Sequence, residues 1–309
     1  MDLFDLHCDT PLELLRGDND FSSGRCHITR DKLARVEKYG QLAAFCVPQN
    51  MSDGDGYRYF FEVAENFRRA AGECGFDLFP DGGIGEKQFI LTVEDLRIIE
   101  NDLSRIGGLY RAGVRLVTPL WGGETRIGGS HESDVGLTDF GREAVREAIR
   151  LGMVPDVSHA SPRSADDILS LAAEAGVPAV ASHSNSREIC DHTRNLTDAQ
   201  ARAVAASGGI VGVSLYPPHL VADPSAGCTS EDVCRHIMHY IDVIGEGRVC
   251  LGCDFDGIGT TPSDLPDVSA LPRLRDALLS HGLTEKTVQK IFYENAAGFF
   301  TSRLAPERK

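Results

Sequence analysis

The chain alternates short apolar runs with longer amphipathic stretches, and this pattern predicts alternating strands and helices. Flanking Gly and Pro residues favour strands over buried helix segments, because apolar runs of this length are ambiguous by themselves. The eight predicted strands are Leu3–Leu6, Leu42–Val47, Phe89–Val93, Val114–Thr118, Met153–Val157, Ala179–Ser182, Ile210–Leu215 and Val249–Gly252.

The stretches between these runs have helical periodicity, often with a Thr or Pro at the start and a Gly after the end. The predicted helices are Tyr57–Cys74, Asp95–Ile106, Thr138–Leu151, Pro162–Ala175, Thr197–Ser207, Thr229–Ile244 and Thr284–Leu304. Strand–helix alternation at this spacing predicts a mostly parallel sheet. Eight strands predict closure into a (β/α)₈ barrel of the TIM type, which needs roughly 250 residues. We therefore expect residues 1–309 to form one barrel domain with C-terminal helices.

Charge and cysteine content narrow the class of protein. The net charge of −15, from 46 acidic and 31 basic residues, opposes binding to nucleic acid or to anionic membranes. Nine cysteines in a chain of this length predict reduced, mostly buried thiols and a cytoplasmic location. Met1–Asp9 carries acids where a signal peptide carries bases, and no apolar run reaches the length of a membrane span.

Polar residues with metal-ligand chemistry follow several predicted strands. In a barrel the C-terminal ends of the strands converge on one face, where active sites lie. Three imidazoles and two or three carboxylates gathered there predict a metal centre of the amidohydrolase-like kind. The residues concerned are His7 and Asp9 after the first strand, Glu94 after the third, His159 after the fifth, and His183 after the sixth.

The spacing of these residues suggests how two metal ions would be shared. His7 and Asp9 lie two apart, so an extended strand places both on one face and Cys8 on the other. A carboxylate such as Glu94 can bridge two ions, and His159 with His183 can complete the second site. Two metal ions about 4 Å apart can hold a hydroxide at neutral pH and polarise a carbonyl. Asp254, after the last strand, is suited to moving a proton.

Each residue alone has an ordinary explanation. Glu94 could complement a helix dipole, and a single histidine is more often hydrogen-bonded in the interior or solvated. Their joint occurrence at strand ends favours the metal centre. The remaining histidines are expected to be solvated or structural: His27, His131, His192, His219, His236, His239 and His281. Only His131, in a Gly-rich loop after the fourth strand, is left open.

Several motifs, in this order, resemble the membrane (renal) dipeptidase family of zinc peptidases, and the resemblance runs from His7 to about Phe300. They are highly specific together, and each would be weak alone. The matching stretches are Asp5-Leu-His-Cys-Asp-Thr10, Thr92-Val-Glu94, Gly136-Leu-Thr-Asp-Phe-Gly141, Asp156-Val-Ser-His159, Ser182-His-Ser184, Thr193-Arg-Asn195 and Gly252-Cys-Asp-Phe-Asp-Gly257.

The resemblance implies a role for each matching residue. His7, Asp9 and Glu94 would bind one zinc ion, and Glu94, His159 and His183 a second, although other divalent ions fit the same ligands. Arg194 would pair with the free C-terminal carboxylate of a dipeptide, a task suited to a guanidinium. Asp254 would move a proton from the attacking water to the leaving amine, and Tyr216 would line the pocket. These assignments concern residues His7, Asp9, Glu94, His159, His183, Arg194, Tyr216 and Asp254.

One position departs from the family. Trp121 stands where relatives carry a histidine that is thought to stabilise the oxyanion; an indole N–H can donate one hydrogen bond but cannot be a cation. The departure puts catalytic efficiency and substrate identity in question, and leaves the metal centre intact. The family's membrane anchor and secretion signal are also missing, which suggests a prokaryotic cytoplasmic relative.

Three functional hypotheses remain open at this point. The first is hydrolysis of dipeptides, small-molecule substrates with a free C-terminal carboxylate. The second is a barrel amidohydrolase that acts on another amide, such as a lactam or an N-acyl amino acid. The third is an inert binding protein that keeps metals for stability, against which Asp254 argues, because metal binding does not require that acid. The oligomeric state is open, and a homodimer is compatible with the sequence.

Overall fold

A computed structural model describes residues 1–16, 19–79 and 87–304. Its strands are β1 (Leu3–Cys8), β2 (Tyr39–Cys46), β3 (Asp77–Leu78), β4 (Lys87–Glu94), β5 (Val114–Thr118), β6 (Val154–Pro155), β7 (Val211–Val213) and β8 (Val249–Leu251). Its α-helices are α1 (Thr10–Glu13), α2 (Asp53–Glu73), α3 (Ser104–Arg111), α4 (Asp139–Arg150), α5 (Pro162–Ala175), α6 (Asp198–Ala206), α7 (Pro217–Leu220), α8 (Ser230–Ile244), α9 (Leu271–Ser280), α10 (Glu285–Gln289) and α11 (Asn295–Leu304).

The strands form a parallel α/β barrel. Their order is β6-β5-β4-β2-β1-β8-β7, and the short β3 pairs outside this path with β4. Val180 bridges Asp156 and Ala181 bridges Val211, so the predicted sixth strand joins the two ends of the sheet by isolated bridges. A regular strand was expected at Ala179–Ser182. The Asp156 carboxylate accepts the Ser182 backbone N–H at 3.0 Å, which takes that donor out of strand pairing.

The barrel interior is apolar below the strand ends. One apolar cluster takes a side chain from every wall of the barrel, and these wall residues are Leu6, Leu42, Ile90, Leu116, Val154, Val180, Ile210 and Cys250. Helix α11 covers the N-terminal ends of the strands, where Phe300 stacks on Phe4 with ring centroids 5.6 Å apart. Because that end is closed by packed side chains, the opposite end is left for a site.

A bulge in β1 sets the direction of the first candidate ligand. Asp5 pairs with Gln41 and Cys8 pairs with Ala43, so β1 advances three residues over a distance in which β2 advances two. Leu6 packs inside the barrel and Cys8 packs outside it. A strictly alternating strand would place Leu6 and Cys8 on the same face. The extra residue resets the alternation, and His7 points into the barrel next to Leu6.

The helices largely follow their predicted caps, with two exceptions. The Thr138 side chain accepts the Gly141 N–H at the start of α4, and Thr197 forms a capping box with Gln200 at the start of α6. The predicted helix Asp95–Ile106 is wrong, because positive φ angles of 83° at Asp95 and 51° at Glu100 break the segment. A short 3₁₀ turn and α3 replace it.

The second exception is the predicted helix Thr284–Leu304. It is divided into α10, a π turn at Lys290–Glu294, and α11. The helix α9 was not predicted. In the described part of the chain, no helix is both long enough and apolar enough to cross a membrane. All nine cysteines are unpaired, and seven of them are buried, as expected.

Candidate metal centre

Six side chains with ligand atoms meet at the C-terminal end of the barrel. They are His7 and Asp9 at the end of β1, Glu94 at the end of β4, His159 and His183 beyond β6 and the bridged segment, and Asp254 beyond β8. Their atoms form three overlapping groups, each lying within 4.8 Å: His7–Asp9–Glu94, Glu94–His159–His183 and His7–His183–Asp254. The structure thus brings together all five predicted metal ligands and the predicted proton carrier.

Glu94 lies between two sets of imidazoles. Its Oε1 is 3.1 Å from Nε2 of His159 and 3.4 Å from Nε2 of His183. Its Oε2 faces the other side, 3.9 Å from Nε2 of His7. Glu94 reaches this place by plain alternation, since Ile90 on the same strand points inward and lies four residues earlier.

The donor set fits a cation. Oε1 of Glu94 is buried and accepts no hydrogen bond, although two imidazole nitrogens face it. Those nitrogens, Nε2 of His159 and Nε2 of His183, are only 2.9 Å apart. Three lone-pair donors around one point, with an unsatisfied buried carboxylate among them, are costly without a positive charge between them. Imidazole and carboxylate ligands of this kind suit zinc and related divalent ions.

Burial and neighbouring charges shift the pKa values of most groups in this cluster. Burial raises the pKa of the Glu94 and Asp254 carboxyl groups above their usual ranges. Burial, and then nearby positive charge, holds the pKa values of His159 and His183 well below their usual range. Burial also opposes the charged form of His7, but the carboxylates of Glu94, Asp9 and Asp254 outweigh it and raise its pKa to about 10.

Hydrogen bonds orient the two histidines of the second group. Nδ1 of His159 lies 3.1 Å from the backbone oxygen of Trp121, an acceptor only, so this nitrogen carries the proton. Nδ1 of His183 lies 2.7 Å from Oγ of Ser182, which donates to Oδ2 of Asp156 at 2.5 Å. In both rings the lone pair is therefore on Nε2, directed at Glu94. Such supporting partners fix the tautomer of a ligand histidine.

Asp156 and Ser182 were not predicted as functional residues. Asp156 accepts hydrogen bonds from Oγ1 of Thr118 and from the backbone N–H groups of Ser158 and Ser182. It ties three neighbouring walls of the barrel together directly beneath His183. The sequence did contain a signal for these two residues. Small polar residues stand at the strand ends there, at positions where apolar residues would otherwise fill the barrel interior.

Two of the six site residues have strained backbones. His159 and Asp254 have φ angles of 65° and 63°, in the left-handed region that non-Gly residues seldom adopt. Strain of this kind clusters at functional sites. Gly257 packs against the site from the same loop as Asp254, and a Cβ at this position would overlap the carboxylates of both Asp9 and Asp254.

A cavity of about 420 Å³ opens above the metal centre, within the range typical of small-molecule sites. Its polar lining includes Asp9, Glu13, Arg16, Glu94, Trp121, His159, Tyr216, His219, Asp254 and Asp256. The Trp121 ring stacks on the His159 ring, with centroids 6.2 Å apart and planes 30° apart. The predicted pocket residues Tyr216 and Trp121 thus both face the cavity.

Arg194 lies beside the cavity and does not line it. It is buried, and it donates from Nη1 to Oγ of Ser184 at 2.8 Å and from Nη2 to the backbone oxygen of His183 at 2.9 Å. Its Nε is buried and has no acceptor among the described residues. A charged donor without an acceptor is expensive inside a protein.

Three further histidines lie next to the site: His192 and His219, which were expected to be solvated or structural, and His131, which was left open. The His131 ring is 5.6 Å from the His159 ring and 6.3 Å from the His192 ring, and the His192 ring is 4.7 Å from the His219 ring. Burial first, and then the charge of Arg194, lowers the pKa of His131 to about 4 and that of His219 to about 2. The same causes lower the pKa of His192. Because none of the three directly follows a strand, no strand-end pattern marked them.

The other histidines behave as expected. His236 is buried, accepts the Ser186 N–H and bonds to the backbone oxygen of Leu220, so its role is structural. His239 bonds to Asp198 away from the cavity.

The sequence matches the membrane dipeptidase family (Peptidase family M19) over residues 1–301. A relative described as an uncharacterized protein in the pqqA 5′ region of Klebsiella pneumoniae is 38% identical over 196 residues, which are 60% of this chain and 71% of that protein. The chain spans about half the length of two relatives from Schizosaccharomyces pombe and one from Claviceps purpurea, which it matches at 32–34% identity.

Two solved structures resemble this fold over nearly the whole chain. Dipeptidase AC, a metallopeptidase of family M19, is 28% identical with a TM-score of 0.88, covering 98% of each chain. A metallopeptidase from Rhodobacter sphaeroides, solved with a phosphinate mimic of the dipeptide L-Ala-D-Ala, is 27% identical with a TM-score of 0.87. The alignment covers 98% of this chain and 99% of that one.

Proposed function

This chain belongs to the membrane dipeptidase family, a family of metallopeptidases, and we propose that it hydrolyses dipeptides that have a free C-terminal carboxylate. One zinc ion would be held by His7, Asp9 and Glu94, and a second by Glu94, His159 and His183. The observation that carries the proposal is the position of Glu94. Its Oε1 faces Nε2 of His159 and of His183 without a hydrogen bond, and its Oε2 faces Nε2 of His7.

The ions and the side chains have separate tasks. Divalent ions held by these residues would supply Lewis acidity for the scissile carbonyl and the attacking water. Glu94 is shared between the two sites, and the Nδ1 bonds to Trp121 and Ser182 hold His159 and His183 with their Nε2 lone pairs towards Glu94. These supports allow the site to keep its shape while the reaction proceeds.

Asp254 is the proposed proton carrier. Its Oδ1 is 3.8 Å from Nε2 of His7, and its carboxylate lines the cavity. Burial raises its pKa, which suits a group that accepts a proton from water and returns it to the leaving amine. Asp254 also belongs to one of the groups with metal-ligand spacing, so its test must separate proton transfer from metal binding.

The carboxylate end of the substrate is assigned to the side of the cavity near Arg194. The buried Nε–H of Arg194 has no acceptor, and a substrate oxygen that reached it would satisfy that donor. Tyr216 and Trp121 both line the cavity. Trp121 offers bulk and one neutral donor, so the ions would carry most of the oxyanion stabilisation, and slower turnover is expected than in relatives with a histidine.

The burial of Arg194 also favours the second candidate, an amidohydrolase acting on a lactam or an N-acyl amino acid. In that case Arg194 would support His183 through its backbone oxygen and would not select a carboxylate. The two candidates differ in one measurable property, which is the preference for a free C-terminal acid.

The test combines metal analysis with a substrate panel. Protein purified without chelator should approach two divalent ions per chain, and Glu94→Gln, which cannot bridge, should hold at most one. The panel contains dipeptides with L- and D-residues at the C-terminal position, together with their C-terminal amides. Strong preference for the acids, lost in Arg194→Ala, supports dipeptide hydrolysis. Equal kcat/KM values for acid and amide in the wild type would favour the amidohydrolase.

A further inference from the structure

Three histidines lie near Arg194, and their rings form a row that meets the cavity at His219. We call His131, His192 and His219 the histidine collar. His131 lies in the loop after β5, His192 in the loop after the bridged segment, and His219 in α7. The row continues into the cavity through Tyr216, whose ring lies 4.8 Å from the His219 ring. The proposed hydrolysis uses none of these three histidines.

The collar contains hydrogen-bonding groups that the protein does not use. Nδ1 of His192 accepts the backbone N–H of Arg194 at 3.1 Å, so the neutral ring carries its proton on Nε2, free to donate. Nδ1 of His131 is buried, and among the described residues it has no hydrogen-bond partner. Buried polar groups are nearly always paired. Nδ1 of His131 and the Nε2–H of His192 therefore leave unused hydrogen-bonding capacity in the collar.

His219 is the collar residue that faces the cavity. His219 lines the cavity, whereas Arg194 is buried and is not among the lining residues. Within residues 1–16, 19–79 and 87–304, hydrogen bonds of His219 involve its backbone only: its N–H donates to Tyr216 and its oxygen accepts from Asn195. The ring is therefore dispensable for the hydrogen-bonding of this loop, and both its nitrogens are available to a ligand.

The charges of this region suit one carboxylate. Arg194 contributes one positive charge, and both its Nη groups already donate to Ser184 and His183. The collar adds neutral N–H donors to that charge. The Glu94 and Asp254 carboxylates, which also line the cavity, belong to the metal centre proposed for the scissile bond. A substrate with one carboxylate at one end would consequently lie with that end at the collar.

We infer that the histidine collar is part of the binding site for the substrate carboxylate, with His219 as the residue that contacts it. This inference rests on the proposed function, because it assigns one end of the dipeptide to this side of the cavity. His219 is then a specificity-determining residue: its N–H donates to a carboxylate oxygen, and Arg194 stabilises the same charge from its buried position beside the cavity.

The test uses the zinc-loaded full chain and two variants of His219. His219→Phe keeps an aromatic ring next to His192 and Tyr216 but removes both nitrogens, and His219→Gln keeps an N–H donor. His239→Phe is the matched control, because His239 bonds to Asp198 outside the cavity. The ligands are a phosphinate dipeptide analogue with a free carboxylate and its methyl ester, whose Kd values are measured by calorimetry. Dipeptide acids and amides are then compared as substrates.

We expect His219→Phe to weaken binding of the acid phosphinate by about 10- to 100-fold, the loss typical of one hydrogen bond to a charged group. Binding of the ester should not change. KM for the dipeptide should rise while kcat stays near the wild-type value, and His219→Gln should recover part of the affinity. The control variant should match the wild type in every measurement.

Each remaining outcome has a defined meaning. If His219→Phe prefers the acid over the ester as strongly as the wild type does, the proposed role of the histidine collar in carboxylate binding is wrong. A second outcome separates the two proposals. The wild type cleaves no dipeptide but binds the acid phosphinate in preference to its ester, and His219→Phe loses this preference. In that case the carboxylate-binding role of the collar is supported and the proposed hydrolysis is wrong. If the wild type binds neither phosphinate, both proposals are wrong.

Discussion

Ser182 and His183 are neighbours in sequence, and Oγ of Ser182 lies 2.7 Å from Nδ1 of His183. A side chain rarely hydrogen-bonds the next residue's ring in a regular strand, where successive side chains point to opposite faces. Here the segment is held by isolated bridges, and the Ser182 hydroxyl is itself anchored on Asp156. The result is a chain of hydrogen bonds from Asp156 through Ser182 to Nδ1 of His183, which leaves Nε2 of the same ring facing Glu94.

Removal of this chain should weaken metal binding. Ser182→Ala leaves Nδ1 of His183 without its acceptor, so the ring is free to change tautomer and orientation. We expect the affinity for the second ion to fall by about 10- to 100-fold, as is usual for partners of ligand histidines. Competition with a chromophoric chelator measures it. Ser170→Ala, which removes an exposed hydroxyl on α5, is the control, and equal affinities of the two variants would show that Ser182 does not orient His183.

Asp254→Asn separates proton transfer from metal binding. The amide keeps the shape of the side chain but cannot take up a proton. If Asp254 is the proton carrier, kcat should fall by about 10²- to 10⁴-fold while the metal content stays at the wild-type value. Elemental analysis and steady-state kinetics on the same preparation check both. Loss of an ion together with activity would instead make Asp254 a ligand.

Gly257→Ala should damage the site through crowding alone. The added Cβ would overlap the carboxylates of Asp9 and Asp254, so at least one of them must move. We expect a large loss of kcat/KM and weaker metal binding. Gly259→Ala is a close control, since its Cβ meets nothing within 4 Å. Wild-type kinetics in Gly257→Ala would mean that the loop shifts to accommodate the methyl group. The positions of the two carboxylates would then not depend on this glycine.

Metal removal should lower the thermal stability of the protein. Without a cation, the buried carboxylates of Asp9, Glu94 and Asp254 repel one another and are poorly solvated. Ions that bind only the folded state stabilise it by about 2.7 kcal/mol when present at 100 times their Kd. The unfolding temperature should therefore fall in chelator and rise again with added zinc. An unfolding temperature that does not depend on zinc would contradict binding at this centre.

The order of strands and helices, and the barrel they form, were predictable because hydrophobic alternation is a local property of the chain. The same is true of Glu94, which shares its strand face with Ile90 by plain alternation. The five candidate ligands could be picked out because each lies at the end of a strand or follows it, and parallel strands of a barrel bring their C-terminal ends together. Short polar motifs at those positions carried enough information to identify the family.

What the tertiary structure alone decided depends on contacts between distant segments. Alternation along β1 would send His7 to the face opposite Leu6, and only the bulge opposite β2 brings it inside. His131 and His192 lie in two loops and His219 lies in α7, and no spacing along the chain relates them. Their convergence near Arg194 follows from how these three segments pack over the barrel. Local periodicity cannot encode that packing, because it is set by contacts between residues far apart in sequence.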